Sequence, residues 1–109
     1  MYRPLVVIES PYSSPTAQGL VDNRNYLKRA MMDSLERGEA PFAGHFLYTQ
    51  ILNDRDAAAR RLGMEASKIF YLKCSLVAVY IDHGISPGML AGIEIARKLG
   101  RPCEERKLG

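Results

Sequence analysis

"SLVAVYIDHGISPGMLAGIEIARKLG", Ser75–Gly100, decides the fold. Its first part, Ser75–Ile81, is a continuous apolar and β-branched run, the strongest strand signal in the chain. A strand that is apolar at successive positions is buried on both faces, which is the habit of a parallel sheet. "DHGISPG", Asp82–Gly88, is turn chemistry built from Asp, Gly, Ser and Pro. "MLAGIEIARKLG" then reads as a helix that Gly100 closes. Strand, loop and helix in this order open a crossover unit.

The same pattern repeats upstream. "LVVIES", Leu5–Ser10, is a second buried strand, and "SPYSSPTAQG" is a polar loop at its end. "DNRNYLKRAMMDSLERG" reads as a helix, with Asp22 or Asn23 as its N-cap and Tyr26, Leu27, Ala30, Met31 and Leu35 as its apolar stripe. "APFAG" suits a short buried strand, and "HFLYTQIL" a short helix or an irregular segment. "NDRDAAARRLGMEASKIFYLKC" is helical, broken or kinked at Gly63, with Ala66–Lys73 its surest part. "RPCEERKL" is a last short strand or an extended tail. This order predicts an α/β fold. It is a single three-layer domain over residues 1–109, with a four- or five-stranded mainly parallel sheet and helices on both faces, flavodoxin- or Rossmann-like.

Length and composition agree. A chain of 109 residues, 47% hydrophobic, suits one small domain with a modest core. No stretch reaches the roughly 18–20 apolar residues of a membrane span, so no membrane partner is expected. "MYRPLVVIESPY" is too short an apolar run for a signal peptide, and a cytoplasmic location is expected. Cys74 and Cys103 are then expected to be buried thiols. No Cys and His share metal-ligand spacing, so neither a metal nor another cofactor is expected. The net charge of +3 comes from scattered basic residues, without the stripe of a nucleic-acid polymer binder. A small anionic ligand remains compatible with it.

In an open parallel sheet, ligands bind outside the carboxyl ends of the strands. Two loops stand at such ends, "ESPYSS" and "DHGISPG". Ser10, Pro11, Tyr12 and Ser13 of the first are candidate ligand contacts, the ring for stacking on a base and the hydroxyls for a sugar or phosphate. His83, Ser86, Gly88 and Met89 belong to the second. His45 is a further candidate. An ordinary Ser-Pro surface turn has the same composition. "GISPG" matches neither G-x-G-x-x-G nor a P-loop, and no G-x-S-x-G elbow is present.

The chain resembles the nucleoside 2-deoxyribosyltransferase-like superfamily, especially its small bacterial and phage-borne members of unknown function. The residues that carry the resemblance are "VVIESPYSS", "NRNYLKRAM", "GEAPFAGHFLYTQ", "GMEAS", "VAVYIDHGISPGM" and "EIARKLGRPCE", in that order over nearly the whole chain. It implies a parallel α/β fold that handles the N-glycosidic bond of a nucleoside or nucleotide. It also implies sites often completed by a neighbouring subunit, hence a homodimer or higher homo-oligomer. In active members a glutamate on the helix after the central strand attacks the anomeric carbon, through an oxocarbenium-like transition state.

Counting from Gly88 and from "GRP", Gly100–Pro102, places that glutamate at Gly92. A loop aspartate of some members falls at Ser86. Both are departures. Three acids are candidate catalytic replacements: Asp82, Glu65 and Glu94. Glu94 lies two residues along the helix from Gly92, about 200° around it, and suits a pair with Lys98. Glu9 also ends a strand, but strand-end geometry favours Asp82. A binding module that does no chemistry is the alternative. An oligomeric interaction protein is another, with Met31, Met32, Phe46, Phe70 and Tyr71 available for a subunit interface.

Overall fold

The computed structural model describes residues 2–53 and 55–109. Among them four strands form one sheet: β1 (Leu5–Glu9), β2 (Ala40–Phe42), β3 (Leu76–Tyr80) and β4 (Cys103–Arg106). The order is β2-β1-β3-β4 and every pairing is parallel. Helix α1 (Ala17–Glu36) links β1 to β2. Helix α2 (Gly44–Leu47), a 3-10 turn (Tyr48–Gln50) and helix α3 (Ala57–Lys73) lead to β3. Helix α4 (Pro87–Lys98) joins β3 to β4.

Strand side chains alternate between the two faces, and the packing follows that period. Val6, Ile8, Ala78 and Tyr80 meet Tyr26, Leu27 and Ala30 of α1 on one face. Val7, Val77 and Val79 meet Tyr71 of α3 and Met89 and Ala96 of α4 on the other. This is the three-layer α/β fold in flavodoxin-like order that the apolar runs predict. The chain leaves β1 toward β2 and leaves β3 toward β4, in opposite directions. The carboxyl ends of β1 and β3 are therefore the switch point of the sheet.

Three local expectations need correction. Helix α1 begins at Ala17, with Thr16 as its N-cap, accepting from the Gly19 amide at 3.0 Å. Asp22 and Asn23 lie inside the helix. Asn23 Nδ2 instead donates to the carbonyls of Tyr12 and Ser13, at 3.0 and 3.3 Å, and so holds the loop after β1. Helix α3 runs unbroken through Gly63, which packs against Leu52 and Tyr48. Cys74 is buried as expected, but Cys103 is exposed.

Of the residues considered for an interface, Tyr71 is buried in the core. Phe70 stacks on Phe42 at 3.6 Å, and Met31 and Phe46 pack against the core as well. Met32 is exposed.

Polar groups also fix the layers. The Arg106 guanidinium, at the end of β4, donates to both Glu39 oxygens at 2.8 and 2.7 Å and to Glu104 at 2.6 Å. Tyr80 donates to Asp33 of α1 at 2.7 Å. Buried charges are tolerated only when paired in this way. No helix of the described residues is long and apolar enough to cross a membrane.

Candidate functional site

A cavity of about 440 Å³ opens at the switch point, within the size range of ligand sites. Both loops singled out from the sequence border it. Ser10, Tyr12 and Ser13 come from the loop after β1, and Ser86, Gly88 and Met89 from the start of α4. Helix α2 adds His45, and α3 contributes Arg60, Gly63, Met64, Ser67 and Tyr71.

Local sequence explains these placements. Ser86 caps α4, accepting from the Met89 amide at 3.3 Å, with Pro87 at the first turn. Gly44 lets the start of α2 close on α3, since a Cβ there would collide with Ser67. That approach brings His45 to the cavity. Its Nε2 lies 3.1 Å from Ser10 Oγ, and its ring stands edge-on to Tyr12 at 5.9 Å. Burial pushes the His45 pKa down to about 4, so the imidazole is neutral at physiological pH.

The floor of the cavity is the side chain of Glu9, only 6% exposed. It ends β1 and shares a face with Val7, so it points toward α3 and α4. Tyr71 donates a hydrogen bond to its Oε2. Opposite lies Gly92, itself buried in α4. A Cβ on residue 92 would overlap the Glu9 carboxyl group and come within 2.7 Å of even the farther oxygen. The carboxyl group thus fills the space that a side chain at 92 would take. Burial raises the Glu9 pKa from 4.5 to about 8, so the group keeps its proton at neutral pH.

The acids expected to replace the glutamate at 92 lie elsewhere. Asp82 does not border the cavity. It accepts from the Tyr26 hydroxyl at 2.6 Å and from the amides of Leu108 and Gly109, and so ties the segment after β4 to α1. The Tyr26 bond, then those amides, hold its pKa below the usual carboxylate range. Glu94 faces solvent and pairs with Arg97 rather than Lys98, again with a lowered pKa. Glu65 is exposed on α3, beside a shallow groove outside the cavity. His83 stands against Tyr26, away from the cavity, and Pro11 is not among the lining residues. Among the described residues no three His, Cys, Asp or Glu side chains gather to hold a metal ion.

Two predictions arise here. Gly92→Ala gains about 1 kcal/mol of helix propensity but overpacks the buried carboxyl by about 1–3 kcal/mol. A net loss of about 1 kcal/mol, or roughly 4–8 °C in Tm, is expected, and it should vanish in a Glu9→Ala background. Thermal denaturation of the four proteins of this cycle measures it. An equal loss in both backgrounds would refute the packing of Glu9 on Gly92.

The second concerns pH. Folded Glu9 holds its proton to about 8, whereas the unfolded chain releases it near 4.5. Its contribution is fully present below pH 4.5 and is lost as pH rises to about 8. His45 acts in the opposite sense, from 6.5 down to about 4, because only the unfolded chain takes up the proton there. Between pH 6.5 and 8, therefore, Glu9 sets the slope, and about 2 kcal/mol of stability should be lost. Urea titrations across this window should show the fall in the natural protein and a flat line in Glu9→Gln.

No curated protein matches the chain. One family model covers residues 4–106, nearly its whole length. The chain therefore belongs to the family described as domain of unknown function DUF7768.

Proposed function

We propose that the cavity binds a nucleoside or nucleotide and that Glu9 acts on its N-glycosidic bond. The observation that carries this reading is the exchange between Glu9 and Gly92. The resemblance requires a carboxyl group on α4 at 92, and the chain supplies one to the same space from β1.

Its protonation state favours the role of general acid. The Glu9 carboxyl gives its proton to the departing base as the C–N bond breaks. Water adds to the oxocarbenium-like sugar, and its proton returns to the Glu9 carboxylate. The products are the free base and the sugar, and the carboxyl group is restored. Tyr71 holds the side chain in place. The Ser10–His45 pair and the Tyr12 ring offer neutral polar and stacking contacts.

The binding-only reading has one observation in its favour. Glu9 is the only carboxylate among the described cavity-lining residues, where glycosidases use two. Incubation with nucleosides, deoxynucleosides and their monophosphates separates the two readings. Chromatography should show free base. Intact ligand bound to the protein would support the second reading instead.

A further inference from the structure

The proposed reaction moves two protons, and the protonated Glu9 carboxyl accounts for one. It gives a proton to the departing nucleobase, but the water that adds to the sugar must also lose one. Glycosidases give this second task to a second carboxylate, and among the described residues no other carboxylate borders the cavity. A different pair of groups is placed to do it.

Ser10 and His45 both border the cavity, and Ser10 Oγ lies 3.1 Å from His45 Nε2. A hydroxyl within hydrogen-bond reach of an imidazole can hand its proton to the ring. The ring is fixed from several sides. The Thr49 hydroxyl donates to the His45 carbonyl at 2.7 Å, and the Tyr12 ring stands edge-on to the imidazole. The imidazole is neutral at physiological pH, so one of its nitrogens is able to accept a proton. This pair reaches the cavity from α2 and the loop after β1, whereas Glu9 points toward α3 and α4. A proton donor and a proton acceptor thus stand on different walls of one cavity.

We propose that Ser10 and His45 together are the proton acceptor that activates water in the reaction of Glu9. This rests on the function proposed above and deepens it. With the proton of the neutral ring on Nδ1, Ser10 donates its hydrogen bond to Nε2. As the water oxygen bonds to the anomeric carbon, its proton passes to Ser10 Oγ, and the Ser10 proton passes to His45 Nε2. The imidazolium then returns a proton, through solvent, to the Glu9 carboxylate, and every group is restored. Water drawn from the wall of His45 enters the face of the sugar opposite the nucleobase, so the anomeric configuration inverts. Water activated by the Glu9 carboxylate would enter the face the nucleobase leaves, with retention.

Two measurements test the proposal, on whichever β-nucleoside or nucleotide releases its base. The first uses the natural protein at a concentration equal to that of the substrate. NMR reads the anomer of the sugar as it forms, ahead of mutarotation, and the α anomer is expected. The second uses variants. His45→Gln keeps an amide that can hydrogen-bond to Ser10 but takes up no proton, so kcat should fall by about 10²–10⁴-fold with KM unchanged. Ser10→Ala should fall as far, and the double variant no further, because the two residues act as one unit.

Release of the β anomer, or of both anomers together, would overturn the proposal while leaving Glu9 as the acid. So would base release by His45→Gln at the natural rate. A loss confined to KM would overturn it too, by making His45 a ligand contact. The anomer is read on the natural protein and decides the matter should a variant fail to fold. No free base from the natural protein would overturn the proposed function and this inference with it.

Discussion

Glu9→Gln should lower the rate of base release by about 10²–10⁴-fold, the usual contribution of a general acid. The substitution keeps the shape of the side chain and an oxygen that can accept from Tyr71. It removes only the transferable proton. Ligand affinity should therefore hold while kcat falls, the mark of an interaction used in the transition state. The folded protein should not suffer. Above pH 8 the variant should be the more stable of the two, because the natural protein then carries an ionised Glu9 that burial disfavours. A loss of activity that came with a loss of binding would make Glu9 a ligand contact and not the acid.

The second large effect is a transfer of the carboxyl group between elements. Glu9→Ala should be as inactive as Glu9→Gln. Adding Gly92→Asp to Glu9→Ala should restore base release at least about tenfold. The geometry is direct. A Cβ on residue 92 would lie within the space the Glu9 carboxyl group occupies. One further bond of about 1.5 Å carries the carboxyl carbon of the introduced aspartate into the volume that Glu9→Ala empties. The new group enters the same low-dielectric surroundings, so its pKa should also be raised. Thermal denaturation checks that the double variant folds. A folded double variant as inactive as Glu9→Ala would mean that the place of the carboxyl group does not govern the reaction.

Much of this architecture is legible in the residues. "LVVIE" and "LVAVY" are apolar at successive positions because both faces of β1 and β3 are covered, and that pattern alone points to a parallel sheet. The two Ser-Pro loops follow the central strands, so their meeting at one cavity follows from the strand order. The start of α1 is harder to place. Thr16, after Pro15, caps it, while Asp22 and Asn23, which resemble caps, serve other partners inside the helix.

The site acid is legible only in half. The alternation of β1 puts Glu9 on the face of Val7, and that much is available from the sequence. That Gly92 lies against it is not, since the two are far apart in the chain and only the α4–β1 packing brings them together. Strand-end geometry favours Asp82, but an acid at a strand end is also suited to hold a neighbouring segment. Asp82 does this for Leu108 and Gly109. Glu94 shows the same limit on a smaller scale, with Arg97 and Lys98 both within helical reach and the arginine taking the pair.

The most direct test of the account is the pH dependence of base release, measured on the natural protein and on Glu9→Gln with one nucleotide substrate. A reaction driven by the protonated Glu9 carboxyl should be flat toward neutral pH and fall above about 8, and the residual rate of Glu9→Gln should show no such fall. A rate that rises through pH 8 would contradict it by requiring the carboxylate, and the absence of any free base at enzyme concentrations equal to substrate would leave the cavity a binding site alone.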